Sequence, residues 1–459
     1  MNTNINTNIN EIKSEVSLGS DQWLKNPPMG WNSYDYYDTT VTEEDVKANA
    51  DYMAKHLRPF GWEYIVVDIA WYSKEAGHDR DKYQYKPFSK MEIDQFSRLL
   101  PDVDRFPSSK DGKGFGPLAD YVHSLGLKFG IHIMRGIPRC AAYQRSAIKN
   151  TDAKANDIAN PYSICAWNPY MYGVNPDVEG AQEYYDSLME LYAEWGVDFI
   201  KCDDICRMDA ESSKKEIEML HKAIEKCGRN IVLSLSPGPA IVEEHDFYKA
   251  NANMWRITDD FWDKWELLLD MFDRCRKWQD YVTEGGYPDC DMLPIGMLGK
   301  GFGHEWKSNF SVNEQRTMLT LWSIFHSPLM IGCELTKLDP ETLELLTNED
   351  VCDMIRSVRG SREVYRDDQF IIWQGRTEDS NAENMPEENN PEEHETNYLA
   401  LFNISDEDQD IPTKLLEDYI YHGSHAEDIN GETIKEIWTG ESYQTIKKIA
   451  AHGVVLLTY

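Results

Sequence analysis

Short apolar runs alternate with segments of helical period from residue 27 to about residue 335. The clearest run is 62–71, Trp-Glu-Tyr-Ile-Val-Val-Asp-Ile-Ala-Trp, whose near-continuous apolar character suits a strand buried on both faces of a parallel sheet. Comparable strand candidates fall at 27–34, 127–134, 197–203, 231–236, 254–258, 289–293 and 329–333. Helices are predicted between them. The first opens at Thr42-Glu43-Glu44-Asp45, with Val46, Ala50, Met53 and Leu57 on one face. Others cover 118–125, 181–195, 214–227, 241–250, 262–278 and 315–325. Eight strands alternating with helices predict a (β/α)8 TIM barrel, placed at residues 27–358.

Past residue 359 the rhythm changes. Short strands are predicted at 365–373, 398–403, 434–438 and 453–459 with no helices between them, which predicts a C-terminal antiparallel β-sandwich domain over 359–459. The stretch 378–395 is too acidic and too poor in apolar residues to fold and is expected to be a solvated loop. Residues 1–26, polar and rich in asparagine, are expected to form a disordered tail.

Composition narrows the function more than the fold. A hydrophobic fraction of 41% supplies a large core. The formal charge of −34 argues against nucleic acid, which needs basic stripes, and against anionic membrane surfaces. No run approaches the ~18 apolar residues of a membrane span. Without an apolar signal core at the N-terminus, a cytoplasmic protein is expected. The nine cysteines lie between Cys140 and Cys352 and suit free thiols in a reducing compartment. Cys202 and Cys206 are four apart with no second pair, so no zinc site is expected. The sequence leaves a homo-oligomer open.

The candidate chemistry gathers where predicted strands end. In Val197-Asp198-Phe199-Ile200-Lys201-Cys202-Asp203-Asp204 an apolar run delivers a lysine and two carboxylates, and an adjacent cation keeps a carboxylate ionised and nucleophilic. The plainer reading of this stretch is a solvated helix start with Asp204 as N-cap. Asp68, His132, Lys201, Asp203, Ser236, Arg256, Asp260 and Asp291 all lie near carboxyl ends of strands, which a barrel collects around one mouth. Two carboxylates there, Asp203 beside Lys201 and Asp260 four residues past Arg256, could serve as nucleophile and acid/base in glycoside hydrolysis. Trp31, Tyr34, Trp71 and Trp255 would suit the apolar face of a sugar at the same rim, or pack in the core.

Five motifs, Met29-Gly30-Trp31-Asn32-Ser33, Leu125-Gly126-Leu127 onward to Gly130-Ile131, Lys201-Cys202-Asp203, Trp255-Arg256-Ile257-Thr258-Asp259-Asp260 and Gly285-Gly286-Tyr287-Pro288-Asp289-Cys290-Asp291-Met292, occur in one order. In them the chain resembles glycoside hydrolase family 27, the family of α-galactosidases, over about residues 27–335. The resemblance implies a retaining mechanism in a barrel followed by an antiparallel β domain, with no metal or cofactor and a small carbohydrate as substrate. It puts Asp203 in the place of the nucleophile and Asp260 in that of the acid/base. Lys201, Arg256, Asp68 and Asp291 fall where the family hydrogen-bonds sugar hydroxyls. Asp204 and Asp259 are the neighbours most easily mistaken for the catalytic pair.

The departures from the family pattern carry the specificity. Where α-galactosidases have two consecutive aspartates, this chain has Asp68-Ile69. The second aspartate usually holds the hydroxyl on carbon 6 of galactose, and Ile69 cannot. β-L-Arabinopyranose has the ring configuration of α-D-galactopyranose without the hydroxymethyl group, and members with isoleucine here resemble β-L-arabinopyranosidases. The plainer reading is that Ile69 packs behind its strand. Tyr34 replaces a tryptophan, His132 a tyrosine, Ala70 a cysteine and Ser236 a glutamate, the last loosening the expected grip on the 2-hydroxyl. The expected function is release of terminal β-L-arabinopyranose with side activity on α-D-galactosides. The alternatives are an α-galactosidase and a non-catalytic carbohydrate-binding protein.

Overall fold

Eight parallel strands form the barrel, seven where the apolar runs predict them and β7 displaced: β1 (Met29–Asn32), β2 (Tyr64–Val67), β3 (Lys128–Met134), β4 (Phe199–Asp203), β5 (Val232–Leu235), β6 (Met254–Arg256), β7 (Tyr287–Asp289) and β8 (Leu329–Ile331). They were described in a computed structural model covering residues 23–74, 76, 86–377, 396–412, 414–415, 418–419, 434–441 and 446–458. Most of the expected tail and the acidic stretch 378–395 lie outside the described residues. The strand order is β7-β6-β5-β4-β3-β2-β1-β8, and every pairing in it is parallel. Between β7 and β8 the seam is closed by a single parallel bridge, Leu293 to Ile331.

Alternation along each strand divides the core in two. Ile65 and Val67 face the layer of helices, while Tyr64 and Val66 join Phe199, Val232, Met254, Tyr287 and Met330 in a cluster that fills the barrel interior. The helices of that layer are α1 (Glu43–His56), α2 (Gly116–Ser124), α3 (Ala181–Glu194), α4 (Ser213–Cys227), α5 (His245–Asn251), α6 (Trp265–Trp278) and α7 (Val312–Phe325). Helix α1 starts where the sequence signals it: Thr42 and Asp45 form a reciprocal capping box.

Two strand placements needed correction. The run expected at 289–293 is strand only at Tyr287–Asp289, and Asp291 beyond it has a φ of 75°. Proline is ordinarily excluded from a central strand. Here Pro288 is tolerated because β7 has a laddered neighbour on one side only, with Pro288 opposite Trp255 of β6. The run expected as one strand at 365–373 spans instead the end of β9 (Val358–Arg366), a turn at 367–369 and the start of β10 (Phe370–Thr377), which pair as a hairpin. The carboxylate of Asp367 accepts from the backbone N–H of Gln369 and of Phe370, and reverses the chain.

With β11 (Asn397–Asn403), β12 (Lys435–Glu436) and β13 (Val454–Thr458) these form an antiparallel sheet of order β9-β10-β11-β13-β12. A small ribbon, Gln409–Asp410 with Lys448–Ile449, accompanies it. Period-2 alternation again sorts the residues. Ile371, Trp373, Ala400, Phe402 and Leu456 join the barrel's core, while Phe370, Ile372, Leu399, Leu401 and Leu457 form a cluster on the other face. Trp373 meets Phe325 of α7 edge-on, and Trp438 Nε1 donates to Thr320 Oγ1 at 2.9 Å. No helix among the described residues is long and apolar enough to cross a membrane.

Gly30 is the tightest point between β1 and β2. A Cβ there would lie 2.5 Å from the carbonyl oxygen of Tyr64 and 2.6 Å from its Cβ, so β2 would have to move. Gly30→Ala is expected to cost about 1–3 kcal/mol, the usual range for overpacking. Chemical denaturation checks this, and an unchanged midpoint would show that the barrel yields at this seam.

Candidate active site

The alternation that fills the lower barrel with apolar side chains sets polar ones above them. Stepping by two from the interior cluster leads from Phe199 to Lys201 and Asp203, from Val66 to Asp68, from Val232 to Ser234 and Ser236, and from Met254 to Arg256. Of these, Asp68, Lys201, Asp203 and Arg256 converge at the carboxyl ends of the strands on a cavity of about 270 Å3. Tyr34, Asp68, Ile69, Lys201, Asp203, Arg256, Asp260 and Asp291 all line it.

His132 and Ser236 stand behind the lining instead. Both are fully buried and bonded to Asp203: His132 Nε2 lies 2.9 Å from Asp203 Oδ2, and the Ser236 hydroxyl donates to Asp203 Oδ1. An ionised carboxylate only accepts, so Nε2 carries the proton of that contact. His132 is itself anchored through its carbonyl, which accepts from Trp71 Nε1 at 2.7 Å.

Burial alone would raise the Asp203 pKa. The charges of Lys201 and His132, with the bonds from His132 and Ser236, overcome it and hold the carboxyl well below its ordinary range. Asp68 is treated alike: burial opposes its ionisation, but Lys201 and His132 win, and its pKa is lowered. Lys201 Nζ donates to Asp68 Oδ2 at 3.0 Å, and Asn32 Nδ2 donates to the same oxygen at 2.7 Å. The ammonium also lies 5.6 Å from the Tyr34 ring centre. Despite burial, the pKa of Lys201 is raised by Asp68 and Asp203, so it stays charged.

Asp260 occupies the other side, at the mouth. Its side chain is 58% exposed where that of Asp203 is 12% exposed, so one carboxylate is open to water and the other is deep. Arg256 Nη2 bonds Asp260 Oδ1 at 2.9 Å and lies 3.2 Å from Asp291 Oδ2. Burial and the nearby Asp260 outweigh that arginine, so the Asp291 pKa is raised even within an ion pair. Asp291 Oδ2 also accepts from the backbone N–H of Phe261, joining the turn after β7 to the loop after β6.

The neighbours have separate places. Asp204 points away and pairs with Arg135 at 2.8 Å; α4 begins only at Ser213, so Asp204 caps no helix. Asp259 pairs with Arg207 at 2.5 Å and accepts from the backbone N–H of Asp260. Trp31, Trp71 and Trp255, offered as rim aromatics, are fully buried in the core, because their positions face the helices. The aromatic lining comes from Tyr34, Trp167, Phe261 and Trp262.

Three of those were missed, as were the buried Asp35 and Asp289. Trp167 lies in a long loop with no periodic signal, while Phe261 and Trp262 directly follow Asp260 and could have been read from that adjacency. Asp35 follows Tyr34 and lines the cavity, and burial, with Asp291, Asp260 and Asp68, raises its pKa against the opposing pull of Lys201.

Asp289 lies below the cavity floor, with burial and Asp291 pushing its pKa up to about 7 against the pull of Arg256. A raised folded-state pKa means that the folded protein holds a proton which the unfolded chain releases near pH 4. The stabilisation it confers is complete below about pH 4 and lost as pH rises to about 7. Relative to Asp289→Asn, the protein should therefore lose stability across that window. The loss should be on the order of a few kcal/mol at about 1.4 kcal/mol per pKa unit. Denaturation of both proteins at a series of pH values measures it, and a constant difference would mean that Asp289 titrates normally.

Known proteins share this fold. The family profile described as Alpha galactosidase A matches residues 26–163 and 174–356. A solved structure of a GH27 β-L-arabinopyranosidase from Geobacillus stearothermophilus is 48% identical, covers 96% of this chain and 97% of that one, and superposes with a TM-score of 0.84. A variant of that enzyme, solved in complex with arabinose, is 47% identical over 96% of this chain and 99% of its own, also with a TM-score of 0.84. Among sequence relatives, an alpha-galactosidase of Coffea arabica is 28% identical over 76% of this chain and 75% of its own length. With the profile spanning most of the barrel and a solved member matched nearly end to end, the chain belongs to glycoside hydrolase family 27 and is a glycoside hydrolase.

Proposed function

We propose that the protein is a retaining exo-glycosidase that releases terminal β-L-arabinopyranose, with weaker activity on α-D-galactosides. The observation that carries this reading is Ile69. It lines the cavity beside the sugar-binding candidate Asp68 and presents only hydrocarbon where a galactosidase needs a partner for the hydroxyl on carbon 6. The similarity to a β-L-arabinopyranosidase supports the same choice. The α-galactosidase reading is favoured by the curated sequence relatives, which bear that name.

In the proposed reaction the Asp203 carboxylate attacks the anomeric carbon while Asp260 gives its proton to the departing glycosidic oxygen. The bond to the aglycone breaks as the glycosyl ester to Asp203 forms. Asp260, now a carboxylate, then takes a proton from water, whose oxygen attacks the anomeric carbon and frees Asp203. The low pKa of Asp203 suits a nucleophile ionised at neutral pH, and the exposure of Asp260 suits a group that meets first the leaving group and then water. Lys201, Asp68, Arg256 and Asp291 are in position to bond ring hydroxyls. His132 and Ser236 orient the nucleophile.

Two variants test the roles. Asp203→Ala should fold, lose hydrolysis, and regain turnover with azide to give a product of inverted configuration. Asp260→Ala should damage natural glycosides far more than glycosylation by a dinitrophenyl glycoside, which needs no acid. Near-normal hydrolysis by the first, or equal losses in the second, would reassign the roles to Asp204 or Asp259.

Specificity is tested by comparing arabinopyranoside and galactoside kinetics in the wild type and in Ile69→Asp. A buried polar group without its partner costs about 1–3 kcal/mol, and pocket discrimination on the scale of one methylene reaches about 10- to 200-fold. The ratio of galactosidase to arabinopyranosidase kcat/KM should therefore rise by roughly one to two orders of magnitude. A wild type that already prefers galactosides, or a ratio unchanged within about threefold, would favour the α-galactosidase reading.

A further inference from the structure

A second cavity, of about 430 Å3, opens beside the first and shares Trp167, Arg207 and Pro237 with it. We propose that this basin is a binding site for the aglycone, and that it selects a neutral sugar chain. The proposal rests on Asp260 being the acid/base of the reaction above. The leaving oxygen then departs on the side of Asp260, whose neighbour Asp259 pairs with Arg207, and Arg207 forms the wall common to both cavities. An aglycone leaving the first cavity along that wall enters the second.

The basin is built in advance of any ligand. Its outer wall is the tip of a loop held between short strands, Ala159–Asn160 pairing with Met171–Val174. The backbone N–H of Gly173 donates to the Ser163 carbonyl at 2.7 Å, and Tyr162 N–H donates to Asn160 Oδ1 at 3.0 Å. Arg135, only 3% exposed, ties this loop to the catalytic strand. Its guanidinium bonds Ser163 Oγ at 2.9 Å, and Asp204 both at the carboxylate and at the backbone carbonyl. The family profile stops at residue 163 and resumes at 174, so Ile164 and Trp167 belong to a segment outside it.

The lining has the chemistry of a sugar site. Trp167 and Tyr162 offer aromatic faces among hydroxyl and amide groups, and Tyr162 stands 96% exposed over the basin, a placement that packing does not explain. Arg135 and Arg207 are each paired with an aspartate, whereas Asp209 and Glu211 add negative charge to the wall. A neutral chain is therefore preferred to one bearing uronic acids.

Tyr162→Ala tests the site, since Tyr162 does not line the first cavity. Two substrates share whichever glycone the wild type cleaves faster: its 4-nitrophenyl glycoside, and the same glycone linked to a neutral disaccharide. For the variant, kcat/KM on the oligosaccharide should fall about fivefold, mainly through KM, and Tyr162→Trp should restore it. Hydrolysis of the 4-nitrophenyl glycoside should stay within about twofold, which also reports that the variant folds. Equal losses on both substrates, no loss on the oligosaccharide, or a wild-type preference for a uronate-bearing chain would overturn the proposal. Failure of the Asp260 assignment would appear separately, in the leaving-group dependence of Asp260→Ala, whatever Tyr162 does.

Discussion

Successive side chains of a strand point to opposite faces, and in a closed parallel barrel one face is the interior. That constraint ties stability to chemistry here. Phe199, Val66, Val232 and Met254 occupy inward positions and fill the lower barrel. Two residues on, the same register delivers Lys201, Asp68, Ser234 and Arg256 toward the mouth, without any further instruction from the sequence. A slip of one residue in β4 or β6 would bury a charge among the helices and turn an apolar side chain toward the cavity.

Charges so deeply placed survive only as a network. Lys201 answers Asp68 and Asp203, Arg256 answers Asp260 and Asp291, and Arg135 answers Asp204 and Glu216. Where the cations do not suffice, the carboxyl pKa is raised, as at Asp35, and at Asp289 it reaches about 7. The site thus holds carboxyls of lowered and of raised pKa within one cavity and its floor. Lys201 lowers both Asp68 and Asp203, and the hydrogen bonds from His132 and Ser236 are what distinguish Asp203.

Specificity is distributed differently from catalysis. The proposed glycone selectivity rests on a single side chain just past β2, where isoleucine removes a hydrogen-bonding partner and adds bulk. The proposed aglycone site rests on a loop that lies partly outside the family profile and is fastened to the catalytic strand by Arg135. A barrel permits this division because its strands hold the reacting groups while the loops at its mouth are free to vary.

The barrel itself was legible in the sequence, because eight apolar runs separated by helical periods leave few other ways to bury both faces of each strand. The candidate pair, Asp203 and Asp260, could be picked out from their nearness to strand ends and to Lys201 and Arg256, and the family came from the motifs that carry them. The bounds of β7 and the Asp367 turn differ from the reading, since a strand at an open seam and a hairpin within an apolar run depend on neighbours that the local sequence does not name. Only the tertiary structure decided that Trp31, Trp71 and Trp255 face the helices, that His132 and Ser236 stand behind Asp203, and that Trp167 reaches the cavity from a distant loop. The physical reason is common to all three. Periodicity tells which residues share a face, whereas what that face meets is settled by closure of the barrel and by the path of its loops.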